Sequence, residues 1–453
     1  MTKLINWLNQ PKSPHGLALF RILFGVILLW DLLRIKDIKL IESFYPRGVM
    51  FPYEFIDLPL IELESMNVLM GLLILSAVLI TVGLFYRFAM LFFALGFSYF
   101  FFLDQVLYNN HLYLICLVSF MMVFMPADAA LSVSKKRHRS KIPQWNYRLL
   151  QFQLIAVFFF GAIAKLNPYW FDMHPVEELL NYKAQKSGFG FLSSSAMKVF
   201  ITYAGFLFDL LIGLVLLIPK TRKIGIISVI LFNLFNAYIF DDIYIFPFFM
   251  MSAMFLFVDQ DWLTGWLRKR KLIKPVNPEL KNAKSLSKIG LGVIGIYLII
   301  QLFLPLRHIG MDGYTDWTGE GQRFAWRMKI QHRTVDEVKF AIFDLDKKII
   351  HPVEIGRYLY QDEITQMCHS PQMILQFSNY LKDHVAQRNG IDDPLVKSKI
   401  KVQFNGLPSM YVFDPNTDLL KEPKKHKSIN DWIIPLSMAG KQLEVDPDAI
   451  PWD

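Results

Sequence analysis

The sequence predicts a multi-pass α-helical membrane protein, with about nine transmembrane helices, that carries a C-terminal extracytoplasmic α+β domain. Hydrophobic residues make up 53% of the 453 residues and charged residues only 19%, and the mean hydropathy is +0.32. Apolar runs of 18 residues or more recur, which is the length that crosses a hydrocarbon core of roughly 30 Å. The last third of the chain instead has short β-type segments separated by Gly, Pro and Asp.

Hydropathy and run length predict nine candidate spans. They lie near residues 17–34, 69–86, 88–106, 112–130, 149–165, 199–218, 224–240, 243–258 and 288–305. The first span contains Arg21 and Asp31 and is followed by no cleavage-site pattern, so we interpret it as a retained helix and not as a signal peptide. Only Tyr86 and Arg87 separate the second span from the third, which predicts a tight helical hairpin.

Basic loops predict the orientation in the membrane. Clusters of Lys and Arg lie in residues 135–141, 220–223 and 268–271, and all three fall on the same side of the predicted bundle. The positive-inside rule makes this side cytoplasmic, which leaves the N-terminus in the cytoplasm and the C-terminal domain outside. The net charge of +9 therefore reflects topology. We expect membrane lipid and not nucleic acid as a partner, and the sequence indicates no particular oligomeric state.

Two domains are predicted. Residues 1–306 form the transmembrane helical domain, and residues 307–453 form the extracytoplasmic α+β domain. The second domain is expected to contain a helix around residues 363–387 and strands near residues 326–330, 338–342 and 401–404. The two cysteines have no metal-ligand spacing, and no metal is expected.

Polar residues at membrane depth are costly, so two places need an explanation. One is the turn at residues 104–111 between the third and fourth spans, and the other is Lys165 at the end of the fifth span. Lys165 has two interpretations. It extends to the outer interface beside aromatic residues, or it lies in apolar surroundings that disfavour its ammonium form and make it a general base near neutral pH.

His111 also has two interpretations. A histidine at the start of a helix commonly makes a local hydrogen bond, and Asn109 and Asn110 can cap the fourth span. The fourth span, however, starts on the outer side and the fifth span ends there. His111 and Lys165 are therefore expected at similar depth, near the face that carries the C-terminal domain, and an outward-facing pocket follows as a hypothesis.

The segments that carry a family resemblance are GLFYR at 83–87, FLD at 102–104, NNHLYL at 109–114, IPQWNY at 142–147, AKL at 164–166, DWT at 316–318, RFAWRM at 323–328 and VFDP at 412–415. In order and spacing they resemble the vitamin K-dependent γ-glutamyl carboxylases. The likeness extends over nearly the whole chain. One departure is Asn233, which stands where eukaryotic members carry a histidine on a late helix.

The resemblance implies a reaction at an extracytoplasmic face. Family members oxidise vitamin K hydroquinone with O2, and the strong base so formed removes a γ-proton from a peptide glutamate, after which the carbanion takes CO2. The implied cofactor is vitamin K hydroquinone or a menaquinol, with O2 and CO2 as co-substrates and no metal. The implied partner is a glutamate-containing peptide or protein. Because the chain is much shorter than the animal enzymes, recognition of a clotting-type propeptide is not expected.

The resemblance also implies the site residues. It gives catalytic roles to Lys165 and His111, and it places the quinol against Asn109, Asn110, His111 and Asp104. The substrate peptide is expected to contact Arg323, Trp326 and Arg327.

Two alternative functions stay open at this point. One is a quinol epoxidase or other quinol oxidoreductase that does not fix CO2. The other is a non-enzymatic membrane protein that binds lipid or assists assembly, because a fold does not guarantee an activity.

Overall fold

A computed structural model describes residues 2–38, 40–45, 49–273, 281–311, 313–421 and 432–436. The part of the chain up to residue 303 is helical. Its helices are α1 (Thr2–Leu8), α2 (His15–Asp37), α3 (Leu63–Val82), α4 (Tyr86–Leu103), α5 (Asn110–Phe124), α6 (Trp145–Lys165), α7 (Pro168–Phe171), α8 (His174–Ser187), α9 (Ser195–Leu217), α10 (Arg222–Ile239), α11 (Phe246–Ser252), α12 (Gln260–Lys269) and α13 (Lys288–Phe303).

Seven helices in the described residues are long and apolar enough to cross a membrane, namely α2, α3, α4, α6, α9, α10 and the helix that begins with α13. The other two predicted spans correspond to shorter apolar helices, Asn110–Phe124 and Phe246–Leu256. Hydropathy gives them the same weight as the longer spans because apolar loop residues next to each helix enter the same window. All nine predicted apolar segments are therefore helical, and seven have the length of a full span.

The α3–α4 hairpin depends on a glycine and on a buried arginine. Gly83 ends α3 with a positive φ of 72°, which a residue with a Cβ rarely adopts. Arg21 of α2 donates hydrogen bonds to the carbonyl oxygens of Ile80 (2.8 Å) and Thr81 (3.0 Å). These carbonyls lie in the last turn of α3, where the usual donors four residues later in the helix are missing, and Ile80 O also accepts from the Gly83 N–H at 3.2 Å. Arg21 thus stabilises the end of a neighbouring helix, and Asp31 pairs with Arg34 on its own helix at 2.8 Å.

Basic loops meet at one end of the bundle. Strand β1 (Pro11–Lys12) pairs with β2 (Ile142–Pro143), so the N-terminal segment lies beside the loop that contains the first basic cluster. Lys141 of this loop forms an ion pair of 3.1 Å with Asp261 of α12, the helix that leads into the third basic cluster. The first and third clusters are therefore on the same side, as the positive-inside pattern predicts.

The C-terminal domain is built on an antiparallel four-stranded sheet in the order β4-β3-β5-β6. The strands are β3 (Arg333–Asp344), β4 (Ile349–Val353), β5 (Pro394–Phe404) and β6 (Met410–Tyr411), and the helices are α14 (Thr315–Thr318), α15 (Gln361–Cys368) and α16 (Pro371–Tyr380). Buried side chains of β5 alternate with half-buried ones, which is the period of a strand with one covered face. An apolar core between the sheet and α15–α16 holds the domain together.

Two predictions for this domain were wrong in detail. Residues 326–330 do not form a strand, because Phe324, Trp326 and Lys329 have positive φ values of 61°, 57° and 52°, which an extended strand cannot contain. The predicted helix at 363–387 is divided into α15 and α16, and Pro371 begins the second helix. The strands predicted near 338–342 and 401–404 are confirmed within β3 and β5.

The irregular segment 319–332 connects the two parts of the chain. Trp326 is fully buried in the apolar core of the helical bundle, whereas Trp317 is fully buried in the core of the sheet domain. Tyr108, in the turn after α4, donates its hydroxyl hydrogen bond to Asn110 and accepts one from the backbone N–H of Phe324 at 2.5 Å. The sheet domain therefore covers the end of the bundle at which the 104–111 turn lies.

Candidate active site

A cavity of about 770 Å³ lies between the helical bundle and the sheet domain. Helices α6, α8, α9 and α10 supply a mostly apolar wall, which includes Val157, Phe158, Leu179, Phe200, Ile201, Phe208, Leu231, Phe232 and Phe235. The segment 319–331 and the region around Ser370 supply the polar side, which includes Gln322, Arg323, Arg327, Lys329, Gln331, Gln366 and His369. One cavity thus has both an apolar and a polar surface, which is typical of ligand sites.

Lys165, the last residue of α6, lies on this cavity. Its Nζ atom donates a 2.5 Å hydrogen bond to Oδ2 of Asp209 on α9 and lies 5.2 Å from the centre of the Trp170 ring. The side chain of Lys165 is only 11% exposed and that of Asp209 only 9%. The side chain of Lys165 thus points into the protein and does not extend to the outer interface, but it has an acidic partner where the second interpretation expected apolar surroundings.

The 104–111 turn places Asn110 and His111 on the same cavity. Asn109 caps α5, with its side-chain oxygen accepting from the backbone N–H of His111 at 3.4 Å. The amide of Asn110 donates to the carbonyl oxygen of Arg327 (3.2 Å), and its oxygen accepts from the Tyr108 hydroxyl (3.0 Å). The two domains therefore jointly fix the orientation of Asn110, while His111 is buried beside it.

Arg327 and Arg323 differ in how their charges are balanced. The guanidinium of Arg327 makes two hydrogen bonds, of 2.8 and 2.7 Å, to the buried carboxylate of Asp316. Arg323 instead donates to neutral atoms, Oε1 of Gln105 (2.6 Å) and Sδ of Met373 (3.2 Å). Burial lowers the pKa of Arg323 from its ordinary value. Arg323 thus hydrogen bonds to neutral groups, with the charge of Asp104 nearby.

Ion pairs connect the rim of the cavity. Lys329 of the 319–332 segment pairs with Asp242 in the turn after α10, and both line the cavity. The neighbouring Asp241 accepts from Lys186 (2.7 Å) and Lys183 (3.0 Å) of α8. Hydrogen bonds from Lys186 and then Lys183 lower the pKa of Asp241 to about 2. These pairs link α8, the α10–α11 turn and the C-terminal sheet domain, which covers this end of the bundle and is called the covering domain below.

His369 is a further polar residue on the cavity lining. Burial, and then the nearby charge of Arg333, lower the pKa of His369 to about 3. Its imidazole is therefore neutral at physiological pH. Sequence reasoning did not select His369, because a histidine in a helix-to-helix turn carries no distinctive pattern.

The structure brings together most of the residues selected from sequence. Lys165, Asn109, Asn110, His111, Arg323 and Arg327 all line the one cavity. Of the described residues selected, Asp104 and Trp326 lie outside the lining. Oδ1 of Asp104 accepts from the backbone N–H of Val106 at 2.9 Å and so caps a turn. The Trp326 ring stacks on Tyr113 with a centroid separation of 5.0 Å, which makes it a core residue.

Asp209 is the residue that sequence reasoning missed. It is the only acidic residue in α9, and an acidic residue inside a span is a functional candidate by its cost alone. The sequence therefore could have identified Asp209 as a candidate. It could not show that Asp209 pairs with Lys165, because two helices separate α6 from α9 in the chain. The two asparagines of α10 have different surroundings. Asn236 lines the cavity, whereas Asn233 is buried and donates to the carbonyl of Val229 on its own helix.

Two protein families match the chain over most of its length. The HTTM domain matches residues 9–262. The vitamin K-dependent gamma-carboxylase lumenal domain matches residues 286–439. The chain belongs to the vitamin K-dependent gamma-carboxylase family. No solved structure matches it.

The residues on the cavity come from both of the segments that the family models match. Lys165, Asp209, Asn110 and His111 lie within the HTTM segment, and Arg323 and Arg327 lie within the lumenal-domain segment. The two matched segments of this gamma-carboxylase family member thus meet at the cavity. The family is vitamin K-dependent by its description, which indicates a quinol cofactor for a carboxylase-like function.

Proposed function

We propose that this protein carboxylates glutamate in a peptide or protein to γ-carboxyglutamate, coupled to epoxidation of a vitamin K-type quinol. The observation that carries the proposal is the position of Lys165, on a cavity that is apolar towards the spans and polar towards the covering domain. The chemistry needs both surfaces, since a prenylated quinol partitions into lipid and a glutamyl peptide is polar.

The residues present fit a quinol. An apolar wall that contains Phe158, Phe208 and Phe232 can pack against a flat ring and its hydrocarbon tail. Asn110 and His111 supply polar atoms at the outer end of that wall. When bound, the quinol and O2 supply the strong base that an amine cannot, because no lysine is basic enough to remove a carbon-bound proton next to a carboxylate.

The protein's own part in this chemistry is proton handling and orientation. Lys165 is positioned to take the proton of a phenolic hydroxyl, whose ordinary pKa is near ~10 and thus close to that of an amine. Asn110, which the Arg327 carbonyl and Tyr108 hold in place, can orient the oxygen that loses the proton. The covering domain limits access of water to this oxygen.

The substrate glutamate has one favoured anchor in the cavity. The carboxylate of a glutamyl side chain binds best to a guanidinium whose N–H groups do not already donate to another carboxylate. Arg327 is neutralised by Asp316, whereas Arg323 hydrogen bonds to neutral atoms. Arg323 is therefore the better candidate for peptide binding, and Arg327 is better explained as the support for Asn110.

The proposal also includes the orientation of the protein in the membrane and the division of the chain into two domains. The basic loops at one end of the bundle favour a cytoplasmic N-terminus, and the cavity then opens towards the extracytoplasmic side. Residues 1–306 would act as the quinol-binding unit and residues 307–453 as the peptide-binding unit. The lumenal-domain match at residues 286–439 supports this arrangement.

Reconstitution tests the proposed reaction. Wild type and Lys165→Ala, each in lipid nanodiscs, receive reduced vitamin K or menaquinol, O2, labelled bicarbonate and a glutamyl peptide. We expect labelled peptide and quinone epoxide from wild type, and neither from Lys165→Ala. Lys198→Ala is the matched control, because Lys198 is a half-buried, ion-paired lysine of α9 that lies outside the cavity lining described here.

Other outcomes would support the other functions. Epoxide without labelled peptide would indicate a quinol oxidoreductase that does not fix CO2. A folded protein that forms neither product would indicate a non-enzymatic role. Equal label from wild type and Lys165→Ala would contradict the role proposed for Lys165.

A further inference from the structure

Asp209 is the closest described polar contact of Lys165. The two side chains come from different helices, α6 and α9, and their atoms Nζ and Oδ2 are 2.5 Å apart. Both side chains are nearly buried, and both line the cavity. Within the described part of the chain, each is the sole ion-pair partner of the other. Burial of such a pair in a membrane protein is costly, so a structural role alone explains it poorly.

The neighbouring helix surface is shaped to admit the carboxylate. Gly161 lies one turn before Lys165 on α6, and a Cβ atom placed on it would be 3.4 Å from Oδ2 of Asp209. Gly161 therefore leaves space beside the carboxylate, since even an added Cβ would only reach van der Waals contact with it. The Trp170 ring lies on another side of the amine, with its centre 5.2 Å from Nζ. Gly161 thus lies beside the carboxylate of the pair, and the Trp170 ring lies beside its amine.

We propose that Lys165 and Asp209 act as a two-member proton relay for the ligand hydroxyl. An ammonium–carboxylate pair and an amine–carboxylic acid pair both have zero net charge, so the proton can move between Nζ and Oδ2 without creating net charge in the apolar wall. The inference rests on the proposed function, because the hydroxyl belongs to the proposed quinol. Asp209 acts through Lys165 and is thus a positioning and proton-accepting residue.

The proton balance of the relay is complete. An N–H bond of Lys165 breaks as an O–H bond forms on Asp209, which leaves Lys165 as a neutral amine. The ligand O–H bond then breaks as a new N–H bond forms on Lys165. The products are an ammonium at Lys165, a neutral carboxyl group at Asp209 and one negative charge on the ligand oxygen, so the total charge is unchanged. The ammonium faces the Trp170 ring, which favours a cation.

This arrangement explains what a lone lysine cannot do. A lysine that stayed paired with a carboxylate would have its lone pair protonated and would not accept a second proton. A lysine without any partner would be a charged group in an apolar wall before the ligand arrived. Because Asp209 can hold the proton, Lys165 can become a neutral amine that accepts the ligand proton, while the Lys165–Asp209 pair keeps zero net charge.

Infrared difference spectroscopy tests the relay without turnover. Protein in nanodiscs is mixed with reduced menadione, a quinol without a tail, under argon. We expect the carbonyl stretch of a protonated carboxyl group to appear on binding, to shift in D2O and to be absent in Asp209→Asn. A wild-type spectrum without such a band, or the same band in Asp209→Asn, would overturn the relay. This readout does not depend on carboxylation.

Kinetics provide the second test. General acid–base groups contribute roughly 10²–10⁴-fold to rates. We therefore expect Asp209→Asn to lower kcat by at least about 10²-fold. The Kd for menadiol, measured by tryptophan quenching, should change by less than about threefold. Asp209→Glu should recover part of kcat. Thr202→Val, a fully buried α9 substitution outside the described lining, should retain wild-type kcat.

The failure of the relay is distinguishable from failure of the proposed function. If Lys165→Ala abolishes label incorporation but Asp209→Asn retains wild-type kcat, the carboxylase proposal stands and the relay is overturned. If wild type incorporates no label but shows the infrared band, the proton transfer stands and the carboxylase proposal fails. A Kd that rises with the loss of kcat in Asp209→Asn would show that Asp209 only shapes the cavity.

Discussion

Removal of the Asp316 carboxylate should destabilise the covering domain far more than removal of an exposed acid. Asp316 is fully buried and accepts two hydrogen bonds, of 2.8 and 2.7 Å, from Arg327, whose side chain is 6% exposed. Asp316→Ala would leave a buried guanidinium with no counter-charge. Breaking a buried pair in this way costs about 3–5 kcal/mol.

The cost can be converted into a thermal shift. For a domain of 150–250 residues, 1 kcal/mol corresponds to roughly 2–4 °C in the unfolding midpoint. We therefore expect Asp316→Ala to lower the midpoint by about 6–20 °C. Differential scanning fluorimetry in one detergent measures this shift, and tryptophan emission reports it because Trp317 and Trp326 lie in the two cores next to the pair.

Two further variants make the assay specific. Glu354→Ala breaks an ion pair with Arg357 whose side chains are 69% and 72% exposed, so it should change stability by at most about 1 kcal/mol. The double variant Asp316→Leu/Arg327→Met removes both charges and should recover most of the loss. An Asp316→Ala midpoint within about 2 °C of wild type, like that of Glu354→Ala, would show that the buried pair with Arg327 does not stabilise the domain.

Three other predictions concern the α6–α9 contact, the ion pairs of Asp241 and the role of Arg323. Gly213→Ala places a Cβ 2.6 Å from Cγ2 of Ile155, so it should force α6 and α9 apart, lower the free energy of unfolding by about 1–3 kcal/mol and reduce carboxylation. Adding Ile155→Ala should restore both the unfolding midpoint and the carboxylation rate. The pKa of Asp241 is lowered to about 2 from 3.8, so its stabilising effect relative to Asp241→Asn should be complete above pH 4 and disappear as the pH falls through 2; equal midpoints at pH 6 would contradict this. Arg323→Gln should raise the peptide KM by roughly 10–150-fold, the value of a charged hydrogen bond of about 1.5–3 kcal/mol, whereas the exposed Arg357→Gln should leave KM unchanged.

Hydropathy predicted most of the bundle because each apolar run carries its own signal. All nine apolar segments are helices, but Asn110–Phe124 and Phe246–Leu256 are shorter than the windows suggested, because a window cannot tell a helix from the apolar residues next to it. The strand predicted at residues 326–330 was wrong for a different reason. Its residue types favour a strand, but the segment has positive φ values and its Trp326 is buried in the bundle, and neither feature can be read from the sequence.

The candidate site could be predicted where chain order constrains it. Topology alone placed Lys165 and His111 near the same face, and the structure has both on one cavity. Asp209 could not be paired with Lys165 in advance, since helices that are distant in sequence can pack in several arrangements. Trp326 was selected because it lies in a family-like motif, but its ring packs against Tyr113 and supports the site from the core.

The most direct test of the account is a cryo-electron microscopy map of the protein in nanodiscs, prepared under argon with reduced menaquinone. We expect ring density in the cavity between α6, α9 and α10, with a ring oxygen within hydrogen-bond distance of Lys165 Nζ and beside Asn110. A ring bound elsewhere, or a Lys165 side chain directed into lipid while the quinol is bound, would contradict it.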